Sequence, residues 1–263
     1  MRKLAFVLAA TDHGTMIVNR YDYDVVGDGQ YSTGVCGELL ESGSFSQNEI
    51  NYVIDLLKLR RKHYGDGVNV LDCGANIGTH AVEWAHAMDL WGRLTAIEAQ
   101  ERIYYALCGH LVLNNCHNAV AINAAVSSER GVMRIPSLNY CQPAGFGSMS
   151  LRRELAPAGY TFDYENNLWS VNKIAIDDFS FARLDFVKLD IEGMELEALA
   201  GMEKTVAQHH PVLMIERLWH CDEIHKWLVD HGYIVRDLNI NFVAIHESDR
   251  TLVDAQFRVK VIV

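Results

Sequence analysis

Residues 71–80, Leu-Asp-Cys-Gly-Ala-Asn-Ile-Gly-Thr-His, constrain the possible folds of this chain more than any other stretch. They follow a short apolar run at 68–71 and open a helix-compatible segment at 79–88. A strand that turns sharply over small residues into a helix gathers backbone N–H groups and the positive helix end at one place. The decapeptide therefore predicts an α/β fold with a ligand site at this turn.

Strand-like and helix-like segments alternate after this junction. Further strands are predicted at 94–97, 119–126, 186–191 and 212–215, helices at 103–114, 195–208 and 223–231, and a closing pair of strands at 233–237 and 242–246. Alternation at this pitch is typical of parallel strands joined by right-handed crossovers. We therefore predict one doubly wound domain over residues 46–263.

Two regions depart from this alternation. Residues 1–45 read as short strands and turns, an N-terminal β extension, and the signal-peptide-like start is better explained as a hairpin. Ser46 and Glu49 form a capping-box pattern ahead of a helix. Residues 137–170 form an insert whose length suits either a lid over a binding site or a surface excursion with an extra hairpin.

Composition narrows the class of protein. The 263 residues are 49% hydrophobic, enough for a sizeable core, and the net charge of −11 makes a nucleic-acid partner unlikely. Six cysteines without a Cys-x-x-Cys pair favour free thiols in a reducing, cytoplasmic compartment over disulfides or zinc. No apolar run is long enough to span a bilayer, so no membrane partner is expected.

Polar side chains follow each predicted parallel strand. In open parallel sheets, ligands bind beyond the carboxyl ends of the strands, so these residues are candidates for one site. They are Asp72, Glu98, Asn123, Asp190, Glu192 and Glu216. A single carboxylate at a strand end is usually a cap or a solvated side chain, but polar groups at five strand ends indicate a binding cleft.

The spacing of Asp72 and Glu98 points to a nucleoside cofactor. Glu98 follows Asp72 by 26 residues and can accept both ribose hydroxyl hydrogens of an adenosine. A dinucleotide site would require Gly-x-Gly-x-x-Gly to approach a pyrophosphate, whereas Asn76 replaces a glycine here and Asp72 would repel phosphate. A sulfonium methyl donor fits better. An NAD-dependent oxidoreductase and a non-catalytic nucleoside-binding domain are the alternatives.

Several motifs resemble the FkbM family of S-adenosylmethionine-dependent methyltransferases. The matching stretches are residues 71–78, 96–98, 123–127, 176–179, 186–193, 197–201 and 211–216. The resemblance implies a Rossmann-like class I methyltransferase fold with a mostly parallel seven-stranded sheet, and O-methylation of a sugar, glycan or secondary metabolite. Cys73 replaces the usual branched aliphatic residue, and residues 1–45 and 137–170 match nothing in the family.

The motifs and the resemblance together assign the site residues. The donor is expected to contact Asp72, Gly74, Ala75, Asn76, Gly78, Thr79, Glu98, Asn123 and Asp190, with Asn123 near the adenine. Asp190 is the favoured base, assisted by Glu192, Glu216 and Lys188, with His220 as an acceptor contact or alternative base. The acceptor is expected to be a small molecule or glycan.

Other roles for the same residues remain open from the sequence. The carboxylates could hold a divalent metal, or Asp190 could bind the methionine ammonium while Glu192 caps the following helix. We assign no metal ligand, and zinc at His220, Cys221 and His225 lacks the usual second ligand pair. Arg152 and Arg153 are expected on a solvated face unless the insert is a lid.

Overall fold

The computed structural model describes residues 4–26, 30–155 and 162–254, so predictions for the remaining positions lie outside the described residues. The strands are β1 (Phe6–Thr11), β2 (Gly14–Asn19), β3 (Tyr23–Val26), β4 (Gln30–Thr33), β5 (Val68–Cys73), β6 (Gly92–Glu98), β7 (Ala119–Asn123), β8 (Ala125–Val126), β9 (Gly131–Pro136), β10 (Leu168–Ile174), β11 (Phe186–Leu189), β12 (Val212–Glu216), β13 (Tyr233–Leu238) and β14 (Asn241–His246). The helices are α1 (Val35–Ser42), α2 (Gln47–Tyr64), α3 (Thr79–Ala87), α4 (Glu101–Leu113), α5 (Glu195–Ala200), α6 (Glu203–His209) and α7 (Cys221–Asp230).

A seven-stranded sheet forms the centre, in the order β13-β14-β12-β11-β5-β6-β7. The five strands from β12 to β7 are parallel, and β14 is antiparallel to both of its neighbours. All four residues of β11 are buried, as expected of a parallel strand covered by helices on both faces. The predicted doubly wound, mostly parallel seven-stranded sheet is confirmed.

Helices cover the two faces of this sheet. One core contains apolar residues of α2, α3 and α4, including Trp84, whose ring meets the edge of Phe186 at 5.5 Å between centroids. The other core contains Ala198 of α5, Val206 of α6 and Leu228 of α7. Because both faces are sealed, the strand ends are the part of the sheet where polar side chains can meet a ligand.

The N-terminal extension agrees with the sequence prediction only in part. β1 pairs with β2 and β3 pairs with β4, as short antiparallel strands. Residues 35–42, expected to continue as strands and turns, form α1 instead, with Cys36 and Leu39 buried on its inner face. The predicted capping box at Ser46 is wrong, because Ser46 has a left-handed backbone (φ 48°) without a side-chain cap and Glu49 makes contacts elsewhere.

Two predicted elements are interrupted. The strand predicted at 119–126 breaks after Asn123, and its last residues pair in a separate three-stranded sheet, β8-β10-β9. The helix predicted at 195–208 is two helices, because Gly201 approaches the 127–128 backbone closely. A Cβ at Gly201 would lie 2.2 Å from the Ser127 carbonyl oxygen. The Gly201 carbonyl oxygen also accepts a hydrogen bond from the Asp177 amide. This carbonyl group, directly after the end of α5, is therefore bonded to a segment outside the helix.

The insert leaves and returns through paired strands. β9 and β10 are antiparallel, from Leu168 opposite Pro136 to Lys173 opposite Gly131. Between them, the Phe146 amide donates to Asp22 of the extension, and the Phe146 ring packs in a core shared with β2, α1 and α4. The extension and the insert therefore lie together beside the strand ends. No helix in the described parts of the chain is long and apolar enough to cross a membrane.

Candidate active site

A cleft of about 270 Å³ opens at the carboxyl ends of the parallel strands. Strand ends and adjoining loops contribute Asp72, Gly74, Ala75, Asn76, Thr79, Glu98, Lys188, Asp190, Glu192 and Glu216 to its wall. Apolar walls are supplied by Phe45, the last residue of the extension, and by Met149 and Leu151 of the insert. The structure thus brings most of the predicted donor and catalytic residues to one cavity, with the insert as one side of it.

The β5–α3 loop (residues 74–78) owes its shape to left-handed backbone positions. Gly74 has φ +80°, and a Cβ there would lie 1.7 Å from the Asp190 carbonyl oxygen. Asn76 is also left-handed, with φ 50°, and its side-chain oxygen accepts the Ile77 amide at 2.7 Å. Asparagine tolerates this conformation better than most residues because its side chain can bond locally. The loop can therefore pass tightly beneath the end of β11.

Glu98 joins this loop to the end of β6. Its carboxylate accepts the Asn76 amide at 3.0 Å and the Gln100 amide at 2.7 Å. Burial raises the pKa of Glu98 to about 7, although both amide hydrogen bonds act to lower it. Each carboxylate oxygen can accept more than one hydrogen bond, so Glu98 retains acceptor capacity toward the cleft.

Asp72 is a buried carboxylate without a counter-group of its own. It is 1% exposed, and within the described residues neither of its carboxylate oxygens has a hydrogen-bond partner. Burial raises its pKa, against the influence of Lys188. An unpaired buried carboxylate on the wall of a cleft is costly unless a cation binds there. Asp72 therefore suits the positively charged tail of a sulfonium cofactor.

Lys188 and Asp190 form an ion pair at the end of β11. The Lys188 Nζ lies 2.5 Å from Asp190 Oδ2, and Lys188 is almost wholly buried. Burial alone would lower the pKa of Lys188, but nearby carboxylates, Asp190 first among them, raise it well above its usual value. Burial alone would raise the pKa of Asp190, but the Lys188 ammonium holds it below its usual value. Both groups are therefore charged at neutral pH.

Asp190, Glu192 and Glu216 form what we call the acidic cluster, with ligand oxygens within 4.8 Å of one another. Burial, together with the Asp190 charge, raises the pKa of Glu192 to about 9 and that of Glu216 to about 10. In the part of the chain that the structure describes, Glu192 Oε2 and Glu216 Oε2 are buried without a partner. At neutral pH the Asp190 carboxylate, paired with Lys188, is therefore the ionised member of the cluster, whereas Glu192 and Glu216 are protonated.

Three predicted site residues, Gly78, Asn123 and His220, are not among the described residues that line the cleft. Asn123 is not among the described residues that line the cleft, and its amide donates to the carbonyl oxygens of Glu98 and Ala99 at 2.8 and 3.1 Å. Asn123 thus holds the β6–α4 turn in place. The His220 side chain is 40% exposed, 4.0 Å from Glu223, at the left-handed start of α7. His220 is not among the described residues that line the cleft, and its assignment as an acceptor contact stays a prediction.

The structure adds residues that sequence reasoning missed. Glu49 accepts from Asn241 at 2.9 Å and lies 3.1 Å from His80, while His80 and Gln100 line the cleft. The capping-box pattern concealed the role of Glu49, since its partners lie far away in sequence. Gly78 and Thr79 begin α3, with Thr79 on the cleft wall.

The doubly wound sheet and the polar cleft at its strand ends define a class I methyltransferase. Residues 72–235 match the family model described as methyltransferase FkbM domain, which is more than half of the chain. The chain belongs to this family and is an S-adenosylmethionine-dependent methyltransferase. This membership supports the methyltransferase over the NAD-dependent oxidoreductase.

The residues of the cleft fit S-adenosylmethionine. The unpaired carboxylate of Asp72 can bind the ammonium group, and Glu98 retains acceptor capacity for ribose hydroxyls. When bound, the cofactor supplies an electrophilic methyl group on a sulfonium. No pyrophosphate-binding glycine pattern occurs in the β5–α3 loop, where Asn76 occupies a position that a dinucleotide site would give to glycine.

Solved structures similar to this chain are methyltransferases. The methyltransferase FkbM from Methylobacillus flagellatus KT is 19% identical with a TM-score of 0.48, over 69% of this chain and 44% of that chain. Precorrin-6y C5,15-methyltransferase from Geobacter metallireducens GS-15 is 16% identical with a TM-score of 0.46, over 85% and 97%. The N-terminal domain of human METTL16 in complex with SAH is 12% identical with a TM-score of 0.45, over 86% and 89%.

The chain spans less than half the length of the Methylobacillus protein. No curated protein sequence matches it. At these identities the similar structures carry no information about the methyl acceptor.

Proposed function

We propose that this methyltransferase transfers a methyl group to a hydroxyl oxygen of a small molecule or glycan. The observation that carries the proposal is the ionised Asp190 carboxylate beside Lys188, on the cleft wall directly against the β5–α3 loop. A hydroxyl needs a proton acceptor next to the methyl donor, and Asp190 is the charged carboxylate in that position.

The chemistry of methyl transfer explains this requirement. In the displacement the carbon–sulfur bond breaks as the oxygen–carbon bond forms, and the hydroxyl proton passes to a carboxylate of the acidic cluster. The hydroxyl becomes strongly acidic only as the new bond forms, so a carboxylate of low pKa is a sufficient base when it is well placed. Alignment of the two substrates supplies most of the remaining acceleration.

The walls of the cleft favour a small hydroxylated acceptor over a nucleic acid. The ionised Asp190 on the cleft wall and the net charge of −11 both act against a phosphate backbone. Phe45 and Met149 offer apolar contacts for the carbon skeleton of an acceptor. The six cysteines are unpaired thiols, which supports a cytoplasmic location.

Methyl transfer from labelled S-adenosylmethionine to panels of sugars, hydroxylated metabolites, amines and RNA tests this proposal. We expect label in hydroxyl compounds, and a loss of at least about a hundredfold in Asp190→Asn. The matched control is Glu223→Gln, whose side chain is exposed on α7. Transfer confined to amines or RNA, or an undiminished rate in Asp190→Asn, would overturn the proposal.

A further inference from the structure

The hydrogen bonds of the acidic cluster do not explain why three carboxyl groups lie together on the cleft wall. Asp190 follows β11, Glu192 lies in the turn before α5, and Glu216 ends β12, so three segments direct carboxylates to one place. Their nearest ligand oxygens lie within 4.8 Å of one another, on the wall of the cleft. Three carboxyl groups so close cannot all be ionised unless a cation lies between them.

Two oxygens of the cluster have no partner among the described residues. Glu216 is 5% exposed, and among the described residues no donor reaches its Oε2 or the Oε2 of Glu192. The Lys188 ammonium is bound to Asp190. Glu216 is therefore more than nine-tenths buried, and its unpartnered oxygen lies close to two further carboxyl groups. A bound cation would complete this arrangement.

Glu195 shows how this turn satisfies a carboxylate when the protein itself is the partner. Its Oε1 accepts the Ile191 amide at 3.0 Å and the Gly193 amide at 3.3 Å. These bonds fix the turn that carries Glu192, which has a left-handed backbone with φ 56°. The amides of the turn thus donate to Glu195, whereas the Glu192 carboxyl group receives none of these hydrogen bonds and lies on the cleft wall.

We propose that Asp190, Glu192 and Glu216 bind one hard divalent cation of the Mg²⁺ or Mn²⁺ type on the acceptor side of the cleft. The inference deepens the proposed function, on which it rests for the identity of the acceptor side. Three carboxylate oxygens without nitrogen or sulfur ligands match the preference of these ions. In an octahedral site with bonds of about 2.1 Å, ligand oxygens lie about 3 Å apart when adjacent and about 4.2 Å apart when opposite, so the side chains close by up to about 1.8 Å on binding.

Such a cation would define the class of acceptor more narrowly. Three protein oxygens leave coordination positions for water or for oxygens of the acceptor. A compound with two neighbouring oxygens, such as a vicinal diol or a hydroxy acid, can occupy two of them and be oriented by the metal. Acceptors of this kind should gain methylation rate from the cation more than isolated alcohols do.

Titration of the metal-stripped full chain with Mn²⁺, read by the paramagnetic resonance of free Mn²⁺, tests the site. We expect one ion per chain in the parent protein and in Glu223→Gln, with affinity at least about tenfold weaker in Glu192→Gln and in Glu216→Gln. Competition by Mg²⁺ should release the bound Mn²⁺. Absence of saturable Mn²⁺ binding in the parent, or equal affinity in all variants, would overturn the proposal.

Two further measurements show whether weaker Mn²⁺ binding in a variant comes from misfolding, and whether the cation site can fail independently of the proposed function. Glu216→Gln should keep its circular dichroism and its S-adenosylhomocysteine affinity while losing the rise in melting temperature that Mn²⁺ gives the parent. A rise retained in Glu216→Gln would count against the site. Failure to methylate any hydroxyl compound would overturn the proposed function and leave the measured Mn²⁺ stoichiometry intact.

Discussion

The carbonyl oxygen of Asp190 occupies the space where a side chain at Gly74 would begin, only 1.7 Å from the ideal Cβ position. Gly74 starts the loop proposed to hold the methyl donor, and Asp190, the proposed base, directly follows β11. The two halves of the reaction site therefore touch through their backbones, and the absent Cβ sets the distance between them.

Replacing Gly74 by alanine should disrupt both halves together. The new methyl group meets a backbone atom that cannot rotate away, and φ +80° adds strain. We expect a loss of about 3 kcal/mol in the free energy of unfolding, with much weaker S-adenosylhomocysteine binding. Gly67→Ala is the control, because Gly67 has φ +93° and open space around it, so about 1 kcal/mol is expected. Urea unfolding and calorimetry measure both, and equal costs would contradict the argument.

Cofactor affinity should depend on the protonation of Glu98. With its pKa raised to about 7 by burial, the carboxyl group is largely protonated at pH 6 and ionised at pH 8. Only the ionised form accepts from both ribose hydroxyls, so S-adenosylhomocysteine should bind about tenfold more tightly at pH 8 than at pH 6. Glu98→Gln should remove this part of the pH dependence. An identical pH profile in parent and variant, measured by calorimetry, would contradict the role of Glu98.

A buried ion cluster connects α2 to the start of β11. Arg60 lies 2.9 Å from Asp185 and 2.5 Å from Asp249, and all three side chains are almost inaccessible. Arg60→Met leaves the buried Asp249 without its cation and Asp185 with Arg183 alone, so we expect the free energy of unfolding to fall by about 3 to 5 kcal/mol.

Lys58→Met is the matched control for Arg60→Met, since Lys58 pairs with an equally exposed Asp55 on the same helix. Its cost should stay below about 1 kcal/mol. Urea unfolding measures both variants. A similar small cost at the two positions would show that the Arg60 cluster contributes little.

His110 links the N-terminal hairpin to the β5–α3 loop. Its ring donates through Nδ1 to the Ile77 carbonyl and accepts the Ile17 amide at Nε2. Burial lowers its pKa from 6.5 to about 4, so the unfolded chain takes up a proton here before the folded one. The contribution of neutral His110 to the free energy of unfolding is fully present above pH 6.5. It is lost as the pH falls toward 4, by up to about 3 kcal/mol.

The pH dependence of urea unfolding, compared between the parent and His110→Gln, isolates this contribution. Between pH 6.5 and 4, the free energy of unfolding should fall less steeply with decreasing pH in His110→Gln than in the parent. His117→Gln, at an exposed position shortly after α4, should keep the slope of the parent. A slope unchanged in His110→Gln would show that other groups cause the loss at low pH.

The central sheet and most of its cleft were predictable because their signals are local. Runs of apolar residues mark β5 and β11, and the polar residue after each strand is adjacent in sequence to the pattern that identifies it. Asp72 and Glu98 could therefore be assigned to one site before any distance was known. The parallel topology then brings the strand ends together without further information.

The errors concern contacts that are distant along the chain. Glu49 satisfies a local capping pattern, yet its carboxylate binds Asn241, which is 192 residues away. Gly201 reads as an ordinary helix residue until the 127–128 backbone lies against it. In each case a tertiary contact overrides a local propensity.

The antiparallel pairing of β9 with β10 has an evolutionary consequence. The excursion starts and finishes at neighbouring positions, Pro136 opposite Leu168, on a small sheet that is separate from the central one. Residues can be gained or lost between these two points while the strands that carry the cofactor residues keep their register. The cleft wall that Met149 and Leu151 supply can therefore change without displacing Asp72 or Glu98.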